Sequence, residues 1–245
     1  MTNAPPATAV STPAADSPQD GAWRGMLLAF TGGFVDTLGF VALFGLFTAH
    51  VTGNFVLIGA AIAGAGHSGV VGKLLALPAF VLGVAATRMF QLRRERRGLD
   101  TAVPLMATQL VFLVAFMGAG VWAGPFVSGN GMSAIAVGLV GVLTMSIQNT
   151  AARSVFARLT PSTVMTGNVT QLVMDLVDMA TRAPAAAAAA GRVHKAWPPI
   201  AAFAVGSLGG GLGYAHAGFW ALLVPCVALI ALLRLLQSNS AAHRR

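Results

Sequence analysis

The phrase Val51-Thr52-Gly53-Asn54 recurs as Met165-Thr166-Gly167-Asn168, and each copy stands between long apolar segments. A second phrase follows in the same order, Ala79-Phe80-Val81-Leu82-Gly83 in the first half and Ala202-Phe203-Ala204-Val205-Gly206 in the second. Two phrases recurring in matched surroundings describe a duplicated unit, so the fold of one half has to serve the other. Crossing roughly 30 Å of hydrocarbon takes a helix of about 20 apolar residues. Runs near 26–47, 74–90, 101–123, 132–150, 197–213 and 217–236 approach or meet that length. With 9% charged and 56% hydrophobic residues, the chain has too little charge to clothe a soluble core. The reading is an all-α integral membrane protein with six transmembrane helices, in which Lys73 and Trp197 serve as interfacial anchors.

The segments opened by the twin phrases, 51–66 and 164–179, reach only about 24 Å at 1.5 Å per residue. If both fold back, every Lys and Arg except Lys73 falls on the side of Arg93-Arg94-Glu95-Arg96-Arg97. If both cross, the basic residues divide almost evenly, against the tendency of Lys and Arg to stay in the cytoplasm. Charge alone leaves open whether only the first segment crosses; the duplication argues that the two behave alike. Two re-entrant half-helices and three crossings per copy place the copies upside down, as two inverted repeats at about 25–123 and 132–236. The membrane domain is then 23–236 in the bacterial inner membrane. It lies between a disordered cytoplasmic tail, 1–22, poor in apolar residues, and a cytoplasmic tail at 237–245.

The net charge of +8 does not point to nucleic acid, because the basic residues lie between apolar runs without aromatic partners. Cys226 stands alone, so no internal disulfide or metal cluster can form on cysteine. No motif calls for a cofactor. The expected surroundings are the lipid bilayer and a small polar solute or ion, and nothing in the sequence fixes whether the chain forms a homo-oligomer.

Re-entrant backbone survives at membrane depth only where protein or a water-filled cavity satisfies it. Gly53 and Gly167 permit sharp turns, while Thr52, Asn54, Thr166 and Asn168 are residue types that start helices. Two half-helices entering from opposite faces would bring free N–H groups and positive dipole ends together near Asn54 and Asn168. The plainer alternative is helix capping at two tight turns.

The combination of Gly33-Phe34-Val35-Asp36-Thr37-Leu38-Gly39-Phe40, Ala49-His50-Val51-Thr52-Gly53-Asn54, Gln148-Asn149 and Thr163-Val164-Met165-Thr166-Gly167-Asn168 resembles the YoaK-type family of bacterial multi-pass membrane proteins. The resemblance runs from about 25 to 236. It implies an inner-membrane protein and, the family domain being of unknown function, no substrate. The alanine-rich stretch Ala185–Ala190 departs from the pattern and reads as a loop insertion.

Asp36 lies well inside the first apolar run, where a carboxylate costs roughly 2.5–3.5 kcal/mol and ordinarily faces a cavity or partner. It reads either as a cation or proton site or as a hydrogen bond that aids packing. Its counterpart in the second half falls among Gln148, Asn149 and Thr150, polar but uncharged. His50, replaced by Val164 before the second phrase, is a relay partner for Asp36 or a structural residue at a turn. Asn168, Gln171 and Asp175 fall on one helical face with Asp178. They line a cytoplasmic vestibule, or the acids reach the interface and Asp178 pairs with Arg182. These residues predict a transporter or channel without covalent chemistry. The rival readings are a membrane enzyme or lipid-handling protein with a lateral cavity, and a structural partner.

Overall fold

Hydrocarbon offers a peptide group no water to bond, so long apolar runs close their backbone bonds internally as helices. The computed structural model describes residues 18–65 and 68–242, and among them there is no strand. The helices are α1 (Pro18–Ala42), α2 (Gly53–Ile62), α3 (Val70–Glu95), α4 (Ala102–Ala123), α5 (Met132–Arg153), α6 (Met165–Ala180), α7 (Ala186–Ala217) and α8 (Leu223–Ala242). A short 3-10 helix, Gly218–Leu222, joins the last two.

Among the described residues, five helical stretches are long and apolar enough to cross a bilayer: Gly21–Ala42, α3, α4, α5 and the 53-residue stretch Ala186–Ser238. The last doubles back at Gly218, whose φ is 56°. A Cβ on Gly213 would lie 2.9 Å from Ala221 Cβ, and Tyr214 meets Phe219 edge-on at 5.6 Å. In a straight helix that separation along the chain would be about 12 Å. With 10 and 16 residues, α2 and α6 extend only about 15 and 24 Å, short of a full crossing.

The tails differ from expectation where they are described. α1 begins at Pro18, inside the segment read as disordered, and α8 continues to Ala242, inside the segment read as the second tail. Residues 1–17 and 243–245 lie outside the described residues. The alanine-rich stretch is no loop: Ala186 starts α7, as the high helix propensity of alanine favours. Lys73 is no interfacial anchor either. It is buried, and its Nζ donates to the Phe44 and Ser68 carbonyls at 2.7 and 2.6 Å, tying the loop after α1 to the approach to α3.

Packing pairs the helices in a regular way. α1 lies on α7 and α3 on α5, α2 on α3 and α6 on α7, α1 on α8 and α4 on α5, with α4 also touching α8. The α1–α7 crossing is closest, because Gly206, Gly210 and Gly33 bring bare backbone against the carbonyls of Phe30, Phe34 and Phe203. At the α3–α5 crossing Gly83 meets the Ser146 side chain instead. Phe34, Leu38, Met106, Phe116, Met145 and Leu229 fill the core. Outward from it, Phe55, Val56 and Ile62 of α2 and Val169, Val173 and Leu176 of α6 are exposed, an apolar surface suited to lipid.

Candidate functional site

Beyond Ala42 the chain turns back along α1 until Thr48 and Ala49 reach Asp36, which is only 4% exposed. Asp36 Oδ1 accepts from the Thr48 and Ala49 amides at 2.7 and 2.6 Å and from Thr48 Oγ1 at 3.2 Å. Loop amides at this depth need an acceptor, and the carboxylate supplies it. Its Oδ2 lies 2.6 Å from His50 Nδ1. With both oxygens engaged, Asp36 is not the bare cation site anticipated for it. The accessible titratable group is His50, whose side chain is 37% exposed. Its ring stands edge-on to Phe203 at 5.8 Å and to Phe47 at 6.2 Å, and the backbone of Thr163 faces it from the second half of the chain.

The second half repeats this path with neutral groups. Thr163 Oγ1 donates to Asn149 Oδ1 at 2.6 Å, across the same 14 residues that separate Asp36 from His50. Asn149 Nδ2 donates to the Met145 carbonyl at 3.0 Å. Gln148 is a structural tie: its Nε2 reaches the Leu28 carbonyl at 2.8 Å and Ser162 Oγ at 3.2 Å, while its Oε1 accepts from Gln109 Nε2 at 2.7 Å. Gln109 escaped the sequence reading, although a glutamine inside an apolar run was a visible signal. Gly32 makes room where the halves meet, since a Cβ there would lie 3.2 Å from both the Gln148 amide and the Ser162 carbonyl.

The twin asparagines face their own loops rather than a solute. Buried Asn54 accepts from the Phe47 amide at 2.9 Å and donates to the Phe47 carbonyl at 3.0 Å. Asn168 Nδ2 donates to the Pro161 carbonyl at 2.7 Å, again seven residues back. Proline has no N–H, so the reciprocal bond cannot form there. The expected cluster of free amides at α2 is also closed on itself: Gly53, Asn54 and Phe55 donate to the carbonyls of His50, Val51 and Thr52. Thr52 precedes the helix without a side-chain capping bond and is exposed. Gly53 is favoured by close approach, with the Phe47 ring 3.0 Å from where a Cβ would stand, whereas at Gly167 the nearest neighbour is Val164 at 3.8 Å. Thr166 is exposed, and its carbonyl accepts from Thr170 Oγ1.

Asp175 does not line a vestibule, and Gln171 is tied to it. Asp175 is buried under Arg192, whose Nη2 and Nε approach Oδ1 at 2.6 and 3.0 Å, and Gln171 Nε2 adds a bond at 3.0 Å. These contacts fasten α6 to α7. The open space lies elsewhere, in a cavity of about 780 Å³ between α3 and the end of α5. Phe80, Val84 and Val155 give it apolar walls, Asn149 and Thr150 polar ones, and exposed Arg88, Glu95 and Arg153 stand at its rim.

Residues 24–235 match the family described as protein of unknown function (DUF1275), and the chain belongs to that family. It is similar to the UPF0700 transmembrane protein YoaK of Bacillus subtilis (strain 168), at 33% identity over 150 residues. That match covers 61% of this chain and 64% of the relative, so less than two thirds of the relative's length is spanned. No solved structure matches. With the apolar helices described above, these similarities identify a multi-pass α-helical membrane protein.

Proposed function

We propose that this member of the DUF1275 family moves a small solute across the bacterial inner membrane, without covalent chemistry and with a proton on His50 as the coupling ion. The observation that carries this reading is the buried Asp36 holding a half-exposed imidazole against the backbone of the other half. Two inverted three-crossing repeats give that contact its meaning. The main helix packings of one half have partners in the other, α1–α7 with α3–α5, α2–α3 with α6–α7 and α1–α8 with α4–α5. In this reading α2 and α6 are re-entrant, the 53-residue stretch makes two crossings, and both termini are cytoplasmic.

The proton works through hydrogen bonding. A charged imidazole keeps its Nδ1–H on Asp36 and carries a second N–H, on Nε2, for the Thr163 backbone that faces the ring, so that it joins the two re-entrant loops. A neutral imidazole donates only once, and with Nδ1 kept on Asp36 it releases Thr163. Protonation thus alternates between tied and untied halves, with the cavity giving access from one side.

The test uses proteoliposomes on a solid-supported membrane, challenged with small organic anions and cations at about pH 6 and about pH 8, on either side of the imidazole range. Solute-evoked charge or proton movement is expected in the wild type, and its pH dependence disappears in His50→Phe. No movement with any solute at either pH sinks the reading. Topology is checked with single cysteines on a Cys226→Ser background. Glu95→Cys and Ala187→Cys label from the cytoplasm, Gly69→Cys and Ser128→Cys from outside. Labelling of Ala187→Cys opposite Glu95→Cys removes the inverted repeat.

A further inference from the structure

We propose that the cavity between α3 and α5 binds an amphiphilic organic anion, a single carboxylate or phosphate joined to an apolar body. The proposal rests on the transporter reading for its role as cargo, and on the cavity itself for its chemistry. Phe203 and Asp36 enclose the His50 ring from two sides. Their counterparts are Phe80, in the same place of the repeated phrase, and Thr150, which stands sixteen residues before the threonine of its phrase as Asp36 does. Both of these line the cavity. Where the first half places His50 before its phrase, the second places Val164, and the space beside Phe80, Asn149 and Thr150 stays open. At about 780 Å³ it is far larger than one missing ring and falls in the range of sites for small organic ligands.

The distribution of polarity decides the ligand class. Deep polar atoms are already engaged: Asn149 with Thr163 and Met145, Thr150 Oγ1 with the Ser146 carbonyl, Ser154 Oγ with the Thr150 carbonyl and with Gln91. Together with Phe80 and Val84 they suit a body that asks for little hydrogen bonding. At the rim two guanidinium groups face one carboxylate. Arg88 is shared with Glu95 at 3.1 Å, and Arg153 has no ion pair among the described residues. One positive charge is left over, on a residue type whose planar fork matches carboxylate and phosphate.

The probe is decanoate, with decanol and decyltrimethylammonium as neutral and cationic counterparts. The full chain carries Cys226→Ser and the cavity reporter Ser154→Cys, in phosphatidylcholine nanodiscs, and is labelled by a water-soluble maleimide. Decanoate is expected to slow labelling about tenfold or more, equivalent to about 1.4 kcal/mol, while its counterparts change it less than about twofold. Arg153→Gln removes the protection and Arg153→Lys restores part of it; both lie at an exposed position that folding tolerates. Phosphatidylglycerol nanodiscs separate the two sources of the anion. Slow labelling before any addition assigns the head group to a lipid, and unchanged labelling with decanoate protection assigns it to a free solute. Equal protection by decanoate and decanol overturns the proposal, as does no protection by decanoate or phosphatidylglycerol while the exposed control Ser128→Cys reacts normally. Because no flux is measured, protection without solute movement keeps the site and discards the transporter, and movement without protection does the reverse.

Discussion

The two loops that precede α2 and α6 follow one path and carry different chemistry. Each returns to the helix before it, and each is held there by a side chain bonding fourteen residues ahead and by an asparagine bonding seven residues back. In the first the holding group is a carboxylate that takes two amides, a hydroxyl and an imidazole. In the second it is an amide that takes one hydroxyl, and a cavity lies beside it. The two loops thus share the way their backbone is held and differ in charge and in the space beside them. A re-entrant loop does not itself require an ion.

The sharpest way to break this comparison is to remove the two holding groups in turn. Asp36→Ala strands the Thr48 and Ala49 amides, and at about 1–3 kcal/mol for each unsatisfied donor the loss is about 2–6 kcal/mol. Asn149→Ala forfeits two side-chain bonds, with the Thr163 hydroxyl and the Met145 carbonyl, and loses about 2 kcal/mol without stranding a backbone amide. Thermal unfolding in detergent, monitored by size exclusion after heating, ranks them. Equal losses would mean that the loops are held by something other than these groups. Asp36→Asn keeps an acceptor for the amides and should retain most of the stability.

The helix crossings give the next effect. Gly206→Ala presses a methyl into the Phe30 backbone, which cannot yield locally, and overpacking of this kind costs about 1–3 kcal/mol. Gly83→Ala presses on the Ser146 side chain, whose hydroxyl can rotate away although its Cβ at 2.9 Å must shift slightly, so its loss is the smaller of the two. The reverse order in the same heating assay would contradict the closer α1–α7 crossing. Smallest is the contrast between the asparagines. Asn54→Ala gives up two bonds, about 2 kcal/mol, and Asn168→Ala one, about 1 kcal/mol. Hydrogen exchange at the Phe47 amide, accelerated only by the first substitution, checks that the loss arises at that loop.

Much of the fold was legible because hydrocarbon demands length and uniformity, and the helices α3, α4 and α5 begin and end within a few residues of the apolar runs. Asp36 and His50 were legible for the opposite reason, as ionisable groups in an apolar setting. The function of Asn54 was not. A side chain aimed at a solute and one aimed seven residues back have the same sequence signature. Asp175 was misplaced because its partner Arg192 lies 17 residues ahead, across a turn and on another helix. The cavity had no direct signal, since its lining comes from residues of α3 and α5 that lie far apart in the chain. The replacement of His50 by Val164 next to the repeated phrase was the nearest hint, and it becomes informative only once Phe80 and Asn149 are seen on the same wall.

Asn54 meets both the N–H and the C=O of one residue, so its side chain imitates a peptide strand of length one. Only a carboxamide offers a donor and an acceptor in that plane. Aspartate would turn a second acceptor toward the Phe47 carbonyl, and glutamine would overshoot by a methylene. In terms of sequence space, position 54 is nearly a single-letter alphabet, and the constraint comes from the main chain of its partner rather than from that partner's side chain.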